Sequence, residues 1–160
     1  MEKPLVLFDY HNWSISRMLD YLVEQNVELF HQPLTSVFSS IRETFEHIYR
    51  IDQLWYSRMQ GEEDSSIVRF NDPTHAKEAF NRLHEDMRLY FEKNTLENLV
   101  VYHNSTGAKF ENKLEDLITH LVNHGTYHKG NVTAMLWSLG QKSSATDYII
   151  YLREKQIAQL

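Results

Sequence analysis

The chain has 160 residues, with 42% apolar and 24% charged, nine His, no Cys and a formal net charge of −6. That length and balance suit one domain with a full hydrophobic core, and the missing Cys excludes disulfides, thiolate metal sites and a Cys nucleophile. The acidic balance argues against nucleic acid as a partner, and the lack of a basic-then-apolar leader or long apolar run predicts a cytoplasmic protein without a membrane partner.

Apolar spacing predicts five helices. The first runs from about Leu5 to Glu24, with Phe8, His11, Ile15, Met18, Leu19 and Leu22 on one face. Asn26 to Ser36, which contains Pro33, reads as a connection. The second helix starts near Val37 to Ser40 and runs to about Met59, with Gly61 as its stop. Ser40 and Glu43 stand at capping-box spacing, which allows a slightly later start. Its apolar set is Ile41, Phe45, Ile48, Ile51, Leu54 and Trp55, and a polar stretch from Glu62 to Ser66 follows.

Asp72 or Thr74 caps the third helix, with Pro73 in its start region. It continues to about Asn94 through Ala76, Phe80, Leu83, Met87 and Tyr90. Leu99 to Asn112 resembles a short β-hairpin, with Val100 to Tyr102 and Lys109 to Glu111 on either side of Asn104 to Gly107. The fourth helix runs from about Leu114 to Leu139 and stops at Gly140, a favourable residue just past a helix end. A short final helix covers Asp147 to about Ala158. Four long amphipathic helices predict an all-α four-helix bundle, a single domain over residues 1–160. Such bundles build their sites from side chains that project inward.

The nine His are therefore sorted by the face they occupy. At ~100° per residue, His124 and His128 lie within about 20° of Leu117, inside the apolar stripe, and His120 lies about 60° from Leu117, at the stripe's edge. An i, i+4 pair sets two imidazoles one turn apart, able to hold one ion. Gly125 lies between them on the inner side, at a helix cost of about 1 kcal/mol relative to Ala, which suits a close approach. The segment His124-Gly125-Thr126-Tyr127-His128 lacks the Glu of the HExxH metalloprotease motif. A third ligand has to come from another helix, and periodicity does not choose among His47, His11 and His84. His31, His75 and His103 read as solvent-exposed residues of connections. Tyr10, Trp13, Trp55 and Trp137 read as core.

The run His120-Leu121-Val122-Asn123-His124-Gly125-Thr126-Tyr127-His128-Lys129-Gly130-Asn131-Val132 resembles the signature helix of the DinB/YfiT-like family, which typically reads H-x-x-N-H-x-x-x-H-[KR]-G-Q. Ser40-Ile41-Arg42 through His47-Ile48 to Trp55 is similar to that family's second helix. Tyr10 and Trp13 resemble its first-helix pair, and Asp147 to Leu152 its C-terminal segment. Asn131 stands where Gln is common, and Lys129 where Arg is common. The resemblance implies a bundle with a divalent metal held by His47, His124 and His128, and it often goes with a homodimer.

Three neutral imidazoles would leave a dication its full charge and at least one open position, as in catalytic rather than closed structural sites. Nitrogen ligands suit zinc, nickel, cobalt or iron without discriminating well among them. Such an ion can lower the pKa of a water, or ionise an incoming thiol. Relatives in the family resemble transferases and isomerases that use low-molecular-weight thiols. The resemblance thus implies a metal-dependent thiol S-transferase acting on an electrophilic substrate, with a hydrolase as the water-using version. Tyr127 and Asn123 stand near the ligands, and no catalytic residue is assigned. The alternatives are a non-catalytic metal-binding or stress-response bundle, and a purely structural dimer.

Overall fold

The computed structural model describes residues 2–62 and 67–158. It contains α1 (Lys3–Val23), α2 (Val27–His31), α3 (Ile41–Gln60), α4 (Pro73–Lys93), β1 (Leu99–His103), β2 (Lys109–Lys113), α5 (Leu114–Ser138) and α6 (Tyr148–Ile157). Helices α1, α3, α4 and α5 form the expected bundle. Helix α1 lies against α4 and α5, and α3 lies against α5 and α4.

The helix ends follow local chemistry. Ser40 adopts extended backbone and its Oγ accepts the Glu43 N–H at 3.2 Å, so α3 takes the later of the possible starts. Glu43 returns its carboxylate to Ser39, one residue before the cap, at 2.8 Å from Oγ. Gly61 closes α3 at φ 77°, a conformation costly for other residues, and Glu62 N–H reaches Ser57 O at 2.8 Å. Asp72 caps α4 by accepting the His75 N–H at 2.8 Å, and Pro73 occupies the first turn, where its missing N–H costs nothing.

Three expectations are corrected. The presumed connection after α1 contains a short helix, α2, capped by Asn26 accepting the Glu28 N–H at 3.0 Å. His75 lies in the first turn of α4, and His31 in the last turn of α2, where its Nε2 lies 2.8 Å from Asn71 O. Trp137 is 64% exposed, because it stands on the outer face of α5, whereas Tyr10 is buried and Trp13 and Trp55 are half-buried. Of the polar stretch after α3, residues 63–66 lie outside the described residues. The hairpin forms in the antiparallel register Leu99↔Lys113 to His103↔Lys109, slightly longer than the sequence suggests.

The core falls into two apolar halves. One contains Ile15, Met18, Leu22, Phe30, Phe45, Phe80 and Met135. The other contains Phe8, Met87, Phe91, Leu114, Ile118 and Leu121. Burying each such side chain is worth about 1.5–3 kcal/mol. Between the halves lies a polar layer with one contribution or more from every long helix: His11 and Ser14 of α1, Asp52 of α3, His84 of α4 and Lys129 of α5. Helix α6 covers α1 from outside. Tyr151 packs with Tyr10 and Val122, and Glu154 accepts from Trp13 Nε1 at 3.1 Å and pairs with Arg17 at 2.8 Å. Among the described residues no helix is long and apolar enough to cross a membrane.

Candidate metal centre

His47 lies on α3 seven residues after the Ser40 cap, and His124 and His128 lie one turn apart on α5. The contact between these two helices brings the three rings together. One ligand atom from each lies within 4.8 Å of the others. His47 Nε2 and His124 Nε2 are 3.1 Å apart, and ring centroids are separated by 5.0 Å for His47–His124 and 4.5 Å for both pairs that include His128. Tetrahedral ligands about 2.0–2.1 Å from an ion would stand slightly over 3 Å apart. The donor set therefore fits a divalent ion with nitrogen preference, and it leaves room for further ligands.

The electrostatics favour neutral, ligating imidazoles. Burial, the neighbouring His128 and the charge of Arg50 push His47 down to about 4. Burial and the two other rings push His124 down to about 4 as well. His128 is lowered by burial. No ligand would thus carry a proton near neutral pH.

Two neighbours hold the imidazoles in place. Phe38 lies 4.9 Å from the His47 ring and 5.4 Å from the His128 ring, covering both from one side. The Asn131 amide lies 3.2 Å from His128 Nδ1. A half-turn of that amide lets its oxygen accept an Nδ1–H, which would leave Nε2 bare for an ion. Asn131 thus does the orienting expected of a second layer of contacts around a metal site, although Gln is common in its place. Tyr127 packs edge-on to His128 at 4.9 Å but is 64% exposed, and Asn123 is also exposed. His120 packs edge-on to Trp55 at 5.2 Å and lies 6.0 Å from the His124 ring, outside the converging group.

His11 and His84, the other two candidates for a third ligand, lie elsewhere. Their Nε2 atoms sit 3.0 and 2.9 Å from Asp52 Oδ2. These three side chains form a second group whose ligand atoms converge within 4.8 Å, fully buried in the polar layer. Protons account for both contacts: each Nε2–H donates to the carboxylate. Burial pushes His11 down to about 4, with Asp52 opposing, so its ring is neutral. Burial disfavours an ionised Asp52, but its contacts to His11 and His84 outweigh this and keep the carboxyl below its ordinary range. The countercharge is Lys129, whose ammonium sits against Ser14 Oγ and 4.8 Å from the Tyr10 ring. Burial pushes this Lys down to about 7, with Asp52 holding it up in part.

Gly125 joins the two groups. A Cβ at this position would lie 2.2 Å from His11 Cε1 and 2.5 Å from Nδ1, so the ring of His11 occupies the space between the two ligating turns of α5. Sequence reasoning missed Asp52 and Lys129. Both had a signal. Asp52 follows Ile48 by four residues on the apolar stripe of α3, and Lys129 follows Val122 by seven on a flank of α5 shared with Ile118 and Leu136.

The profile of the DinB family matches residues 1–159. A relative from Bacillus subtilis (strain 168), Protein DinB, is 34% identical over 157 residues, covering 91% of this chain and 91% of that protein.

Proposed function

The chain belongs to the DinB family, and on that premise we propose that His47, His124 and His128 bind a divalent metal ion and that the protein is a metal-dependent enzyme acting on a low-molecular-weight thiol. The observation that carries this reading is the convergence of the three imidazoles, two of them with Nε2 atoms 3.1 Å apart. An ion bound there would supply Lewis acidity that makes a thiol, or a water, nucleophilic near neutral pH. The chain supplies the rest. Burial keeps the ligands deprotonated, Phe38 shields one side of the centre, and Asn131 fixes the His128 ring. Three protein ligands rather than four leave space for a cosubstrate, and the absence of Cys means that the nucleophile has to arrive with it. S-transfer to an electrophile is the reading that uses all of these features.

Metal analysis of untagged wild-type protein beside His47→Ala and His124→Ala tests it. About one equivalent in the wild type and a large loss in both variants is the expected result. Unchanged metal content in the variants would refute this ligand set. A rate that survives complete metal removal would refute the enzymatic reading.

A further inference from the structure

An open cavity of about 430 Å³ adjoins the centre, with His47 and Phe38 in its wall. Its remaining lining divides into a charged side and an apolar side. Glu43 and Glu46 are both engaged. Glu46 accepts from Arg69 at 2.7 Å and from the Phe70 N–H at 2.9 Å, with Arg42 3.6 Å away. Glu43 is held by Ser39, with Arg42 at 3.9 Å. Arg50 differs. It stands one turn after Glu46 and His47 on α3, is exposed, and its guanidinium makes no ion pair or hydrogen bond among the described residues. Its charge acts on His47. In a chain of net charge −6, this mouth therefore holds a cation with no partner among the described residues, beside a site that would hold a dication. The apolar side is Val68, Phe38 and Ile67, and Ile67 is 85% exposed, the most exposed large apolar side chain described.

We propose that this cavity binds a small carboxylate-type anion with a short apolar body, its acid group on Arg50, its body over Ile67 and Phe38, and its reactive end toward His47. The last of these rests on the thiol reading above, whereas the anion preference does not. Arg50 is thus a specificity-determining residue. Its fork of N–H donors suits a carboxylate, and the two described carboxylates of the cavity wall, Glu43 and Glu46, are already engaged elsewhere.

The test titrates cobalt-loaded protein anaerobically with 3-mercaptopropionate, 2-mercaptoethanol and cysteamine, small thiols that are anionic, neutral and cationic. Binding is read from the visible cobalt bands. The anionic thiol is expected to bind about fivefold or more tighter than the neutral one, and the cationic thiol weakest. In Arg50→Ala the preference should disappear with neutral-thiol binding unchanged, and Arg50→Lys should restore part of it. Equal binding of anionic and neutral thiols by the wild type, or a preference that survives Arg50→Ala, would overturn the proposal. If no thiol moves the cobalt bands, the thiol reading fails by itself. The anion site is then decided in metal-free protein by amide shifts of Arg50, Ile67 and Val68. Saturable shifts with 3-mercaptopropionate but not 2-mercaptoethanol uphold it, and their absence overturns it.

Discussion

The ring of His11 fills the volume that a side chain at position 125 would need, with Cε1 only 2.2 Å from where a Cβ would stand. In an open helix, Gly→Ala is worth roughly 1 kcal/mol of stability. Here the overpacking cost of about 1–3 kcal/mol opposes that gain, and the displaced ring also loses its bond to Asp52. Gly125→Ala is therefore expected to lower the urea midpoint of metal-free protein. A raised midpoint would show that His11 yields freely.

Asp52 accepts from both His11 and His84, and its buried charge acts on Lys129. Asn in its place has one oxygen to offer and no charge. Removing one member of a buried ionic group costs about 3–5 kcal/mol, and Asp52→Asn is expected to fall in that range by chemical denaturation. A loss below about 1 kcal/mol would mean that Lys129 does not depend on this carboxylate.

Acid should weaken the metal-free protein before most carboxyls are protonated. His11 titrates near 6.5 when unfolded and near 4 when folded, so between these values the unfolded state binds the extra proton. Its contribution is fully present above pH 6.5 and is lost as pH falls toward 4. Between pH 7 and pH 5 this amounts to about 2 kcal/mol from His11 alone, and His47 and His124 act in the same direction. Urea midpoints at the two pH values check it, and identical midpoints would contradict a neutral buried His11.

His120 and His128 belong to the same helix and flank His124, yet only His128 stands in the converging group. His120→Ala removes a ring that packs on Trp55 and should leave metal content unchanged. His128→Ala removes a ring 4.5 Å from both other imidazoles and should abolish stoichiometric binding. Metal analysis of the two variants side by side distinguishes them, and loss in both would enlarge the site.

The sequence carries the bundle because long helices write a 3.6-residue pattern that survives occasional polar intruders. Ser40, Gly61 and Asp72 mark their ends with side chains or backbone geometry that few other residues provide. Helix α2 escaped because five residues are too few for periodicity, and Pro33 drew attention to a turn. The inward setting of His124 and His128 was legible from one helix alone. The third partner was not, because the choice among His47, His11 and His84 depends on which helices meet at that height. Family resemblance pointed to His47, and the contact between α3 and α5 brings that ring to the pair. Asp52 went unread because a charge on an apolar stripe looks like an edge residue until two helices close over it. The exposed Trp137 shows the converse, since composition does not reveal which face of α5 is left uncovered.

The polar layer between the two apolar halves has a consequence for axial alignment. Leu, Ile and Phe contacts tolerate a helix sliding by a turn, since one apolar side chain substitutes for the next with a modest change in packing. Asp52 does not, because only one axial setting gives its oxygen both imidazole donors and leaves Lys129 a countercharge. The layer works as a detent that fixes how far α3, α4 and α5 stand along α1. The spacing of His47 from His124 and His128 inherits that setting. A bundle with its middle rebuilt in Leu and Met would be expected to hold or gain stability while losing the single alignment that keeps three rings on one point.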